Sequence, residues 1–453
     1  MTSYFDSRYL TIIGHVQSGK TIEEINYCWY SINKYIPVIF IVRNITADQL
    51  QLRDRFSKFE QNMEVKLLSD LTVDKAIEFM ESCGIIILLC NETQLYKMKN
   101  IILKYNKIYN LCIDEVDFSI KSKDFNSPID ILLKGIKQNA NHILGATATP
   151  FALFSSEKSM TKIKKIKPSR NYRGIETLTV NFVNSCIIRN EDDFPLCDMG
   201  AMDEIYESII QKQYAVILHT VVKERENHYK IQNYISNIYN QITVITYNGD
   251  GIKVICKNRN NTPMADTKAL NSYRQLINKY FIIQENENLI HFFQNYSISE
   301  VLQILVDDPE YDHTHISIIA GHLASRGISF VSTDYSLHLT DQYFYASKNT
   351  HGENLLQSLR ILGCYSDDTP LNLWCSEKTW KSIIVQNKII NNLVNGLNDD
   401  TNWMVKIKDI YINRPNCPLT RPRLCNYTIK NTEKQFTLDI KYHEEPELVE
   451  EEL

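Results

Sequence analysis

A lysine beside a hydroxyl, framed by two glycines, gives the chain its clearest chemical signal. Residues Gly14-His15-Val16-Gln17-Ser18-Gly19-Lys20-Thr21 form a complete G-x-x-x-x-G-K-[ST] pattern. The apolar run Leu10–Ile13 precedes it, and Thr21-Ile22-Glu23-Glu24-Ile25 opens a helix-compatible stretch after it. In such a strand–loop–helix setting, backbone N–H groups at the helix N-terminus cradle phosphate oxygens, helped by the helix dipole. Gly14, Gln17, Ser18 and Gly19 would shape the cradle. Lys20 would place its charge on the β and γ phosphates, and the Thr21 hydroxyl would ligate Mg²⁺. The alternative is an ordinary strand–helix turn that happens to contain glycine.

Asp114-Glu115-Val116-Asp117 follows directly on a second apolar run, Tyr109–Ile113. A carboxylate at the C-terminal end of a strand neighbouring a phosphate loop can reach Mg²⁺, and the next one can orient and deprotonate water. Asp114 is therefore assigned to the metal and Glu115 to the general base. His142-Ile143-Leu144-Gly145-Ala146-Thr147-Ala148-Thr149-Pro150 is a third strand-like run, ending in small hydroxylated residues. Its hydroxyls can bond the Asp114–Asp117 carboxylates and sense the γ-phosphate.

These residues need a scaffold. Up to about residue 150, short apolar runs (Leu10–Ile13, Val38–Val42, Ile85–Cys90, Leu111–Ile113, His142–Leu144) alternate with longer polar, helix-like segments. Continuous apolar strands separated by helices indicate a parallel sheet covered on both faces. A second set comprises Ala215–His219, Thr243–Thr246, Ile316–Ala320 and Leu337–Thr340. The expected organisation is an α/β domain over 1–154, a basic linker over 155–199 and a second α/β domain over 200–375. The second carries a helical insertion at about 252–312, and a C-terminal extension with an acidic tail occupies 376–453. Lys158, Lys162, Lys164, Lys165, Lys167, Arg170 and Arg173 make the linker either a solvated connection or a phosphate contact.

With 453 residues, 43% hydrophobic content, 12 Pro and 14 Gly, the chain reads as globular and multidomain. A net charge of −5 confines any nucleic-acid binding to local basic patches. The 11 cysteines are scattered, without a C-x-x-C pair, and Cys90, Cys112 and Cys256 fall in apolar stretches. That pattern suits reduced thiols and argues against zinc. No signal-peptide core and no membrane-length apolar run occurs. A soluble intracellular protein, cytoplasmic or nuclear, is expected. The abundant Ile, Asn, Lys and Tyr suit an AT-rich genome, such as that of a virus or mobile element.

In order and spacing, Gly14–Thr21, Asp114–Asp117 and Ala146–Thr149 resemble motifs I, II and III of superfamily 2 helicases and translocases. Gly321–Ile328 is similar to motif V, and Gln357-Ser358-Leu359-Arg360-Ile361-Leu362-Gly363 to motif VI. The wording is closest to the "Z-one" ATPase branch, whose strings nearly recur at Gly14–Thr21, Thr147–Ala152, Leu323–Ile328 and Gln357–Gly363. The resemblance covers roughly residues 8–375. It implies two tandem RecA-like domains that hydrolyse ATP with Mg²⁺ and move along or unwind nucleic acid, DNA in preference to RNA. It also implies that Arg360 is an arginine finger and that Gln357 contacts the γ-phosphate or the attacking water. Arg326 and Gly327, in the Ser-Arg-Gly turn, would couple the nucleotide to the nucleic-acid groove. Two features depart from the family. Gly363 is followed by Cys364 and Tyr365 where a second arginine is usual, and no adenine-reading glutamine stands just upstream of Leu10. Tyr4, Phe5 or Tyr9 could stack on the base, or serve as core or surface residues.

Loops after strands would carry phosphate contacts in this fold: Arg43, Asn44 and Thr46, then Asn91 and Thr93, in the first domain. His219, Thr220 and Asn248 would do so in the second. Each position also suits a helix cap or turn. Other readings are a nucleotide-binding switch docked on a partner, which the C-terminal extension would hold, and an endonuclease. The endonuclease reading finds no metal-nuclease carboxylate constellation outside the motor motifs.

Overall fold

The computed structural model describes residues 4–59, 63–116, 127–150, 162–183, 188–189, 195–196, 199–220, 225–257, 280–285, 288–293, 296–307, 314–321, 327–344, 352–365 and 368–396. Arg326, Asp117, Lys158, Phe151 and Ala152, parts of 252–312 and the acidic tail lie outside the described residues.

The first unit is a seven-stranded sheet. Its strands are β1 (Tyr9–Ile13), β2 (Val38–Val42), β3 (Val65–Leu67), β4 (Ile85–Leu89), β5 (Asn110–Ile113), β6 (Ile143–Thr147) and β7 (Lys162–Lys165). They lie in the order β3-β4-β2-β5-β6-β1-β7, every pair parallel. Parallel strands require crossovers. Helices α1 (Lys20–Ile32), α2 (Thr46–Ser57), α3 (Val73–Glu81), α4 (Glu92–Tyr105) and α5 (Pro128–Asn139) supply them. Val38–Val42 and Ile85–Leu89 are buried throughout, as strands covered on both faces must be. Gly145 is small for a packing reason, since a Cβ there would meet the Val116 side chain at 3.1 Å.

The basic segment is more than a linker. Lys162–Lys165 adds β7 to the edge of the first sheet, pairing Leu10 to Ile13 in parallel. Lys164 is engaged with the Glu23 carboxylate at 2.5 Å. Beyond it come β8 (Tyr172–Arg173), β9 (Thr179–Phe182) and a small hairpin, β10 (Ile188–Arg189) with β11 (Pro195–Leu196). Strand β9 joins the far edge of the second sheet. The connection thus donates an edge strand to each unit.

The second unit holds α6 (Met199–Ile210), β12 (Ala215–Thr220), α7 (Arg225–Ile238), β13 (Thr243–Asn248), β14 (Gly251–Lys257), β15 (Tyr280–Glu285) and β16 (Asn288–Phe293). It continues with α8 (Ile298–Asp307), β17 (His315–Ala320), β18 (Asp341–Phe344), α9 (Gly352–Gln357), β19 (Gly363–Cys364) and β20 (Asn372–Cys375). The sheet order is β15-β16-β14-β13-β17-β12-β18-β20-β9. From β13 to β9 the pairs are parallel, whereas β14, β16 and β15 extend it as an antiparallel wing. The expected helical insertion is therefore corrected: its described part is three strands and helix α8. Ile252, Val254 and Ile255 are β-branched residues with strand preference, although the adjacent Val254 and Ile255 break the alternation with polar positions. The run Leu337–Thr340 lies just ahead of its strand, which begins at Asp341. A final helix, α10 (Glu377–Gly396), opens the C-terminal extension. The tandem RecA-like α/β architecture read from the sequence is present, with the acidic strand β5 separated from the phosphate-loop strand β1 by β6.

A candidate nucleotide cleft between the two units

The phosphate-loop signature works through backbone conformation. Gln17 and Gly19 hold positive φ values of 56° and 92°, and α1 starts at Lys20. A Cβ on Gly19 would meet nothing within 4 Å, so the loop leaves open space beside the helix N-terminus. The Lys20 ammonium curls back onto its own loop, donating to the His15 carbonyl at 2.8 Å and that of Gly14 at 3.4 Å. Burial pushes its pKa down, while the Glu115 and Asp114 carboxylates oppose that shift. Beneath it, Glu24 is fully buried and its pKa is raised well above the usual carboxylate range, first by burial and then by Asp114.

Asp114 and Glu115 sit at the end of β5. The Asp114 N–H donates to Ile41 O at 3.0 Å, and the Glu115 N–H donates to Asp114 Oδ1 at 2.9 Å. Glu115 itself adopts φ 47°, uncommon for a non-glycine residue. Burial raises the Asp114 pKa, with the neighbouring Asp48 charge adding to it and the Arg43 and Lys20 cations opposing.

The second unit completes the site. Gln357, at the end of α9, donates through Nε2 to Thr149 Oγ1 at 2.6 Å and to Glu115 Oε2 at 3.1 Å. Gln17 Nε2 returns the contact, donating to Arg360 O at 3.2 Å. The Arg360 guanidinium is buried and tied to Gln357 O at 2.9 Å and to Ile328 O. Burial pushes its pKa down to about 10, so it stays charged near neutrality. Three buried polar atoms in this group have no partner among the described residues: Ser18 Oγ, Gln357 Oε1 and Arg360 Nε. The Ser18 hydroxyl and the Arg360 Nε–H are donors that suit a polyanionic ligand, whereas Gln357 Oε1 can only accept, as from a water. A cleft of about 410 Å³ lies between the units, lined by Lys20, Thr21, Asp114, Glu115, Gln357 and Arg360 among others. That volume falls within the range of small-molecule sites.

Two residues without a sequence signal bridge the units. Gln51 on α2 exchanges hydrogen bonds with the Ser329 backbone, at 3.1 and 3.2 Å. Arg55, one turn further, donates to Ser329 Oγ at 2.8 Å and to Thr21 Oγ1 at 3.0 Å. Only their four-residue spacing is visible in sequence, and the partner across the cleft is not. Gly327 is in place beside them, at φ 69°, where a Cβ would come within 2.8 Å of the Arg43 guanidinium.

The nucleic-acid candidates divide. Asn44, Thr46 and Thr93 are exposed, and Asn91 Nδ2 donates to Asn44 Oδ1 at 2.9 Å on the same rim of the first sheet. Asn91 also caps α4. Arg43 is corrected: it is 3% exposed and paired with Asp48 at 2.6 Å, so its charge is spent inside the protein. His219 is fully buried beside Tyr206, and Asn248 is buried with its amide on Tyr229. Thr220 donates to Tyr343 O at 2.7 Å. Tyr4 and Phe5 take the core-or-surface alternative over base stacking. They pack with Tyr27 away from the cleft lining, as does Tyr9 against the core.

No protein-family model and no curated protein matches the chain. Among solved structures, the chain is similar to the DUF1998 helicase MrfA bound to DNA, at 11% identity and a TM-score of 0.48, over 93% of this chain and 49% of that one. It is also similar to S. cerevisiae Dbp5 bound to RNA and ADP BeF3, at 11% identity and TM-score 0.46, over 89% and 88%. A third is Mycobacterium smegmatis helicase Lhr bound to ssDNA and AMP-PNP, at 9% identity and TM-score 0.45, over 85% and 46%. The chain spans about half the length of the MrfA and Lhr chains. Likenesses this distant carry no functional weight; the residues themselves must.

Proposed function

We infer that the protein is a nucleic-acid-dependent ATPase, a superfamily 2-type helicase or translocase that uses Mg²⁺. The observation that supports this best is the Gln357 amide, which joins Glu115 and Thr149 across the units at the mouth of the phosphate loop. A ligand there would touch both halves, so binding and release would couple to their relative movement.

In this reading Lys20 and the loop backbone hold the triphosphate, and Thr21 and Asp114 are the residues that would hold Mg²⁺. The metal would supply charge neutralisation at the transferring phosphoryl group. Glu115 takes a proton from the attacking water, and Gln357 orients that water or the γ-phosphate. Arg360 stabilises charge from the second unit. Asn44, Thr46, Asn91 and Thr93 offer amides and hydroxyls for a phosphate backbone, with DNA the preferred track. Membership of the "Z-one" branch rests on the sequence strings alone. Among the described residues, no helix is long and apolar enough to cross a membrane.

The test is steady-state ATP hydrolysis with and without single-stranded DNA, duplex DNA and RNA. Stimulation by one polymer supports the motor and names its track. ATP binding with no turnover under any polymer would favour the second reading, a partner-dependent nucleotide switch, which the absent second arginine after Gly363 makes specific.

A further inference from the structure

The aromatic residues at the N-terminus do not line the cleft, yet the cleft has aromatic walls elsewhere. Phe59 and Ile22 line it from the first unit, and Tyr335 from the second. Their positions follow from the bridge at Ser329. Arg55 ties Thr21 to Ser329, Phe59 lies one turn beyond Arg55, and Tyr335 lies a few residues beyond Ser329. Both chain segments therefore leave the phosphate end together.

Tyr335 is displayed by an unusually constrained turn. Val331 bridges His338 in antiparallel fashion, and the Ser332 N–H donates to Leu337 O at 2.9 Å. Asp334 Oδ1 accepts from Ser332 Oγ at 2.6 Å, the Ser336 N–H at 2.9 Å and Ser336 Oγ at 2.7 Å. Gln303 of α8 braces the turn from outside, accepting from Thr333 Oγ1 at 2.8 Å and the Asp334 N–H at 3.0 Å. At its tip Tyr335 holds φ 64° with 63% of its surface exposed. Glycine or asparagine takes that backbone conformation easily, whereas a bulky aromatic there is an outlier held in place by its surroundings. A large ring, presented rigidly and largely uncovered at a cleft, is preorganised for a flat partner.

We propose that Tyr335 is a nucleobase-binding residue, stacking on the ring face of the base of the bound nucleoside triphosphate. Phe59 and Ile22 form the apolar wall opposite. The proposal rests on the nucleotide reading of the cleft and adds the residue that holds the base. Stacking favours the larger purine face over a pyrimidine, and it involves no metal or phosphate contact.

Calorimetric titration of the full chain with ATP and, separately, inorganic tripolyphosphate tests it in wild type, Tyr335→Ala and Tyr335→Phe. Because the side chain is exposed and Ala retains the same backbone strain, the variant folds, which a matching thermal melt checks. The expected result is ATP affinity about tenfold weaker in Tyr335→Ala. Tripolyphosphate affinity stays unchanged and Tyr335→Phe stays close to wild type. Unchanged ATP affinity in Tyr335→Ala overturns the proposal, as does an equal loss for ATP and tripolyphosphate. A wild type that binds neither ligand overturns the nucleotide reading and this proposal with it. A wild type that binds both equally well overturns only the proposal.

Discussion

The two units carry unequal shares of the site. The first holds the residues proposed for phosphate and metal: Lys20 and Thr21 at the start of α1, and Asp114 and Glu115 just after β5. The second contributes Gln357 and Arg360 from a short helix and the loop after it, on a sheet half-extended by antiparallel strands. Phosphate holding, as proposed, needs only the first unit. Chemistry that needs charge or a hydrogen bond from the opposite wall exists only when the units meet. This division predicts that variants of Lys20 in the first unit lose ligand, and variants of Gln357 and Arg360 in the second lose turnover.

The largest effect is expected at Lys20. Lys20→Ala should lower ATP turnover by about a thousandfold or more and weaken ATP binding, measured by steady-state kinetics and calorimetry. If it binds ATP as well as wild type, the first unit is not the binding half. Next comes Gln357→Ala, which should slow turnover by about a hundredfold while leaving ATP affinity near wild type. Combining it with Thr149→Ala should add little further, because the two share one hydrogen bond; full additivity would separate them. Arg55→Ala removes charged donors from both Ser329 and Thr21. It should loosen the closed arrangement by about 1–2 kcal/mol, seen as a larger radius of gyration in solution scattering without nucleotide.

The smallest effect at neutral pH is confined to the second unit. Burial, with the His228 charge adding to it, pushes the His219 pKa down to about 3, so the ring is neutral in the fold. An unfolded histidine titrates near 6.5, and the unfolded state therefore binds more protons between these values. Stability contributed this way is present above about pH 6.5 and falls as pH drops towards 3, by up to about 1.4 kcal/mol per pH unit. His219→Phe should flatten that slope in acid melts. An unchanged slope would assign acid sensitivity to other groups.

The contrast between units also separates what was legible in the chain. Local signals carried the first unit. A phosphate loop is a backbone shape encoded by its own glycines, and buried parallel strands betray themselves as apolar runs such as Ile85–Leu89. The second unit's wing was misread because 252–312 mixes β-branched and polar residues without a clean period. Arg43 was misread because its partner Asp48, five residues on, satisfies it within the core. Gln51, Arg55 and Tyr335 gave no signal, since each acquires meaning from a cleft that forms only after both units fold and dock.

The most direct measurement is a side-by-side determination of ATP affinity and single-turnover rate for wild type, Arg360→Ala and Arg360→Lys, each with and without the stimulating polymer. A shared site predicts ATP affinity near wild type in both variants, with the rate down by about a thousandfold in Arg360→Ala. Partial recovery in Arg360→Lys would keep the charge argument. A wild-type rate in Arg360→Ala, or a loss of affinity that accounts for the whole loss of rate, would contradict the account.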